Sequence, residues 1–160
     1  MDKAQAALRA QAKRSRVDAI DNARRADLVS VERIAVGRGR MTLLVRLSPA
    51  CPRTTDREMA RRLLAARPSL ARHTCVNDRG PTFSAVIADT SVPHVLEHLI
   101  IDAQVRDPAS LADINFVGTT EWLDEAAGLA RVEVNFCDDI VALRALRDAL
   151  SFLNGEVVPA

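Results

Sequence analysis

Between Arg40 and Pro49 the chain alternates. Met41, Leu43, Val45 and Leu47 fall on one side, and Thr42, Arg46 and Ser48 on the other. Side chains in a strand point to opposite faces in turn, so this pattern demands a sheet with one buried and one solvated face. A preceding β-like run, Glu32–Val36, is joined to it through Gly37-Arg38-Gly39, which is hairpin chemistry. Pro49 and Pro52 end the second strand. Arg131–Phe136 alternates in the same way near the far end of the chain. A sheet with one apolar face must be covered, and the helical segments between and after these strands are the available cover.

The helical segments announce themselves by spacing. Thr55 and Glu58 read as a capping box for a helix carrying Met59, Leu63 and Ala66 and ending at Pro68. Thr90 or Ser91 caps a second helix with Pro93 in its first turn, closed by Asp107-Pro108. Asp138 caps a last helix expected to bury Ile140, Leu143, Leu146, Leu150 and Leu153. Asn77-Asp78-Arg79-Gly80-Pro81 is turn chemistry. Thr82–Ala88 and Ile114–Val117 read as strands, and Thr119 or Thr120 as the cap of a short helix with Trp122. The expected fold is α+β, a two-layer sandwich with helices on one face of a mostly antiparallel sheet. Residues 1–30, rich in Ala and Arg with sparse apolar positions at Leu8, Val17, Ile20 and Leu28, read as a basic helical arm. The α+β domain is expected over 31–160. The arm, through residues 1–28, is the segment by which a second copy could be joined.

Composition removes several function classes. With 48% apolar and 27% charged residues, the 160-residue chain can bury about 68–70% of its unfolded surface without a disulfide staple. Cys51, Cys75 and Cys137 are sparse and form no CxxC pair, which argues against a disulfide framework or a zinc ribbon and suits a reducing cytoplasm. No apolar run is long enough for a membrane span, and no secretory leader is read at the start. With no Tyr, one Trp and four Phe, base-stacking platforms are scarce, so no nucleic-acid or membrane partner is expected. The net charge of +1 hides a split: residues 1–79 carry 18 Lys and Arg against 8 Asp and Glu, and residues 80–160 carry 4 against 13. Such a bipolar chain suits a partner bearing both signs, or halves that attract one another.

One constellation carries chemistry. His94-Val95-Leu96-Glu97-His98 is H-x-x-E-H, the pattern of inverted zincins such as pitrilysin-type metallopeptidases. On a helix, positions i and i+4 lie one turn apart on one face, so both imidazoles reach one cation. Zinc takes such nitrogens and leaves a position open for water, whose proton Glu97 can take. Projected at ~100° per residue, Val95, Leu96, Leu99, Ile100 and Ala103 form one stripe, with His94, Glu97 and His98 opposite beside Ile101 and Val105. A solvated face would not carry Ile101 and Val105, so a partly covered cleft is expected.

Pro68-Ser69-Leu70 followed by His73-Thr74-Cys75 resembles the P-x-L-x-x-H-x-C segment of cyanophycin synthetase N-terminal domains. Gly80, Phe83, then His94, Glu97, His98, Asp102 and Gln104 follow in that family's order. The tail ARVEVNFCDDIVALRALRDAL is similar to the family's last strand and acidic-headed helix, so the resemblance spans about 31–153. It implies an N-terminal module that holds an Arg/Asp polymer and, in some members, a zinc hydrolase that trims polymer chains through H-x-x-E-H. The ATP-dependent domains of the full enzymes have no counterpart here, and no Gly-rich phosphate loop follows any strand. Carried over, His94 and His98 are metal ligands and Glu97 the catalytic base.

The sequence departs from the family in its acidic head, Asn135-Phe136-Cys137-Asp138-Asp139, and in Val117-Gly118-Thr119-Thr120, which lacks the family's arginines. Asp138 or Asp139 is the expected third ligand, because a carboxylate balances the cation's charge, with Glu133 as the fallback. His73 is expected to contact substrate or to hold a ligand from behind. Cys75 and Cys137 read as small buried hydrophobes. The expected function is a zinc-dependent hydrolase of peptide or Arg/Asp-polymer amide bonds; the alternative is a binding or scaffold module for such a chain or for a protein partner.

Overall fold

The computed structural model of the protein describes residues 27–110 and 115–158. Four strands form one antiparallel sheet: β1 (Val29–Val36), β2 (Arg40–Leu47), β3 (Gly118–Asp124) and β4 (Leu129–Asn135), in the order β1-β2-β4-β3. Gly39 takes φ 69° in the β1–β2 turn, a conformation open to glycine at little cost. Met41, Leu43, Val45 and Leu47 are buried as their alternation requires, alongside Val132 and Val134 of β4.

Three helices complete the fold: α1 (Arg57–Ala66), α2 (Val92–Arg106) and α3 (Asp139–Phe152). Helices α2 and α3 pack on one another and on the core face of the sheet. Helix α1 packs on a 3₁₀ turn, Pro68–Arg72, and on a wide C-terminal turn, Leu153–Val157. The fold is therefore α+β, with the helices on one side of an antiparallel sheet. Strand β1 begins at Val29, which is 1% exposed and bonds Asn154 through its backbone N–H, so the sheet reaches two residues ahead of 31. Residues 1–26 of the expected arm lie outside the described residues. No helix among the described residues is long and apolar enough to cross a membrane.

Four local expectations are corrected. The cap of α1 is Asp56, whose carboxylate accepts from the Met59 N–H, while Glu58 turns to Arg61 and Arg62 instead of closing a box with Thr55. Thr82–Ala88 is a 3₁₀ turn and loop, because its buried residues Phe83, Val86 and Ile87 recur at i, i+3 and i+4 rather than every second position. Thr119–Trp122 lies in strand β3, not in a helix. Two β-branched residues and a half-buried alternation suit the edge of a sheet, whereas Asn115–Val117 is irregular. In α3 the buried face is Val141, Ala142, Ala145, Leu146, Ala149 and Phe152, leaving Ile140 and Leu143 exposed. Small alanines let the helix come close, so bulk alone misplaces its inner face.

Candidate metal centre and cleft

Two short pieces of chain meet at the site. Residues 73–75 run extended beside 81–83: Phe83 N–H donates to the His73 carbonyl, Cys75 N–H donates to the Pro81 carbonyl, and Thr74 bridges Thr82. The turn between them is fixed by Asn77, whose Oδ1 accepts from the N–H groups of Arg79 and Gly80. In extended chain, residues two apart share a face, so His73 and Cys75 point the same way. They meet α2, on which His94 and His98 lie one turn apart. Ser91 caps α2 by accepting from His94 N–H, which fixes where that first turn starts.

The four side chains interlock. His94 Nε2 and His98 Nε2 are 3.2 Å apart, Cys75 Sγ is 3.5 Å from His94 Nε2, and His73 Nδ1 is 3.3 Å from His98 Nδ1. Cys75, His94 and His98 each offer a ligand atom within 4.8 Å of the others. The outer nitrogen of His94, Nδ1, is 2.7 Å from Thr90 Oγ1. Phe83 stacks on the His98 ring, with centroids 3.9 Å apart and planes at 22°. Behind His73 stands Asp102, 1% exposed, which accepts from Ser69 Oγ and from Arg106 Nε at 2.8 Å and lies 3.5 Å from His73 Nε2. The carboxylate, His73 and His98 thus form a chain that sets the His98 ring.

Burial sets the protonation. It holds the His94 imidazole below its ordinary pKa, and it holds His98 at about 3, with the neighbouring His94 and His73 adding to the effect. Both rings are neutral at pH 7, as ligands must be. Burial pushes the Cys75 thiol up, relieved by Asn77 and reinforced by Glu97. Glu97 is 5% exposed, and burial raises its carboxyl against the opposing hydrogen bond from Thr120 Oγ1, 2.6 Å from Oε2. Gly118 sits directly beside that carboxylate: a Cβ there would lie 2.6 Å from Glu97 Cγ and 2.7 Å from Oε1.

Two of the three donor pairs, His94–His98 and His94–Cys75, have the spacing that a divalent cation needs. Tetrahedral zinc at about 2.0–2.1 Å from nitrogen and 2.3 Å from sulfur needs nitrogens about 3.4 Å apart and sulfur about 3.6 Å from nitrogen. The observed 3.2 and 3.5 Å match within about 0.2 Å. Two imidazole lone pairs facing each other at that distance repel unless a proton or a cation lies between them.

The trio and Glu97 line a cleft of about 760 Å³ between α2, the 72–76 segment and the start of β3. His94, Glu97, His98 and His73 all converge there, as do Ile101 and Val105. Asp138 and Asp139 do not line it. The Asp138 carboxylate accepts from Val141 N–H as the cap of α3, and Asp139 is exposed in the first turn of that helix. Glu133 pairs with Arg40 on the opposite face of the sheet, and Cys137 is exposed outside the cleft. The donor that joins the two histidines is Cys75. Its signal in the sequence is the H-x-C pair at 73–75, whose two side chains share a face only if that segment is extended.

An α+β domain with a histidine-rich cleft at the head of its central helix is the class this arrangement defines. Over residues 40–157 the chain matches the cyanophycin synthase-like N-terminal domain, and it belongs to that family. No curated protein matches the chain at a significant level.

Proposed function

We propose that this protein is a metal-dependent hydrolase of amide bonds in peptide-like chains, with zinc held by His94, His98 and Cys75 and with Glu97 as the base. The observation that carries the reading is the convergence of the His94 and His98 Nε2 atoms, 3.2 Å apart, and of the Cys75 thiol, 3.5 Å from His94 Nε2, beside a buried carboxyl group. The chemistry zinc supplies in such a site is polarisation of an amide carbonyl and acidification of water. Glu97 holds Thr120 on Oε2, and Oε1 faces the space that Gly118 leaves without a side chain. From there the carboxylate takes a proton from water and returns it to the departing amide nitrogen. Burial raises its carboxyl above the ordinary range, which makes the carboxylate a stronger base. Thr90 and His73 hold the outer nitrogens of the two histidine rings and so aim Nε2 of each inward. Cys75 brings one negative charge, which a neutral pair of imidazoles lacks.

The test is metal content and turnover together. Protein purified without chelator should carry about one zinc per chain, and Glu97→Gln should abolish peptide hydrolysis while keeping the metal, since Gln cannot take a proton. Protein that neither retains zinc nor gains thermal stability on its addition would overturn the reading. Zinc retained without hydrolysis would leave a binding or scaffold module.

A further inference from the structure

The walls of the cleft differ from its floor. Among the described residues, eight large apolar side chains are exposed, and three of them, Val76, Val105 and Val117, border this one cleft. Ile101 and Phe116 continue the same lining. Solvent-exposed aliphatic groups gathered around a reactive centre mark a surface that a ligand covers. Charge is scarce by comparison. Besides the site residues themselves, Arg72 is the one permanently charged group among the described lining residues, and it has no ion-pair partner among them. Glu97 is occupied with Thr120, and Asp102 is buried behind His73. Among the described lining residues, no carboxylate is left for a guanidinium.

The backbone adds direction. Strand β3 is the last strand of the sheet, paired on one side by β4, and its first residues, Gly118, Thr119 and Thr120, line the cleft next to Glu97. The other side of an edge strand presents N–H and C=O groups to which an extended chain can bond.

We infer that the cleft takes an extended peptide laid along β3 with an apolar side chain next to the scissile amide, and that it discriminates against arginine at that place. The inference rests on the hydrolase reading and narrows its substrate. Val105 and Val117 are the specificity-determining residues, exposed at 58% and 46% and free to change without disturbing the core. An apolar side chain displaces water from Val76, Val105 and Phe116, whereas a guanidinium entering the same space loses water and meets no free carboxylate among the described lining residues.

The experiment uses the zinc-loaded full chain and two quenched-fluorescence alanine-based hexapeptides that differ at one central residue, Leu or Arg. The expected result is a kcat/KM at least tenfold higher for the Leu peptide. Val105→Asp and Val117→Asp should shrink or reverse that ratio, by slowing the Leu peptide and helping the Arg peptide. Binding of the same two peptides, fluorescently labelled, to zinc-loaded Glu97→Gln should show the same order by anisotropy. An Arg peptide cleaved as fast as the Leu peptide overturns the inference and leaves the hydrolase reading standing. Peptides that bind Glu97→Gln in the expected order but are not cleaved by wild type overturn the hydrolase and keep the apolar cleft. Peptides that neither bind nor are cleaved overturn the inference outright.

Discussion

The Nε2 atoms of His94 and His98 face each other at 3.2 Å across one turn of α2, with the Cys75 thiol 3.5 Å from the first of them. The helix supplies the vertical spacing, and a separate extended segment supplies the sulfur. Removing either contribution should therefore have the same consequence. His94→Ala, His98→Ala and Cys75→Ala are each expected to weaken zinc binding at least tenfold in a chelator competition. Asp138→Ala should leave zinc affinity unchanged and cost about 1 kcal/mol of stability, because its carboxylate caps α3. Zinc lost in Asp138→Ala and kept in Cys75→Ala would return the third position to the acidic pair.

Gly118 is a sharper probe of the base. A methyl group at that position would meet Glu97 Cγ, Oε1 and Cδ at 2.6–2.8 Å, and Glu97 is pinned by Thr120 and buried. The carboxylate must move, so Gly118→Ala should lower turnover by about 10- to 100-fold. The crowding should cost about 1–3 kcal/mol of stability. Zinc content should not change. A variant with normal turnover would show that Glu97 needs no fixed position.

Much of this fold is written locally. The alternation of Met41–Leu47 and of Arg131–Phe136 places two central strands, and the apolar stripe of α2 places His94, Glu97 and His98 on the cleft side. What escapes a local reading has a physical cause in each case. Strand β3 is an edge strand, so its burial contrast is shallow, and Thr-Thr before Glu and Trp also resembles a helix start. Cys75 reaches His94 because 73–75 pairs with 81–83 across the turn fixed by Asn77, a short irregular pairing that no periodicity encodes. Asp138 illustrates competition: an Asp ahead of a helix is a good ligand in isolation, but the unpaired N–H groups of its own helix are nearer.

The packing of α2 is testable through Leu99, which is 3% exposed on the stripe opposite the histidines. Leu99→Ala should destabilise the domain by about 2–5 kcal/mol, read from urea unfolding. It should leave zinc stoichiometry intact, because the altered face is turned to the core. A cost below about 1 kcal/mol would put Leu99 in solvent and rotate the helix away from the site described above.

Asp102 gives the pH dependence. Burial alone would raise its carboxyl, but hydrogen bonds from His73, Ser69 and Arg106 outweigh that, and the nearby Arg106 charge adds to them, holding it at about 2. Its unfolded value is near 3.9. A depressed pKa stabilises the fold above the unfolded value, and that contribution disappears as pH falls through the folded one. Wild type should therefore lose about 2 kcal/mol of stability between pH 4 and pH 2 on account of this one group. Asp102→Asn removes the titration while keeping the side chain's shape. In urea unfolding at pH 6, 4, 3 and 2, the advantage of wild type over the variant should be constant down to about pH 4 and then shrink by that amount. A gap that stays level to pH 2 would mean that Asp102 is not held ionised by its three donors, and the chain from Asp102 through His73 to His98 would lose its anchor.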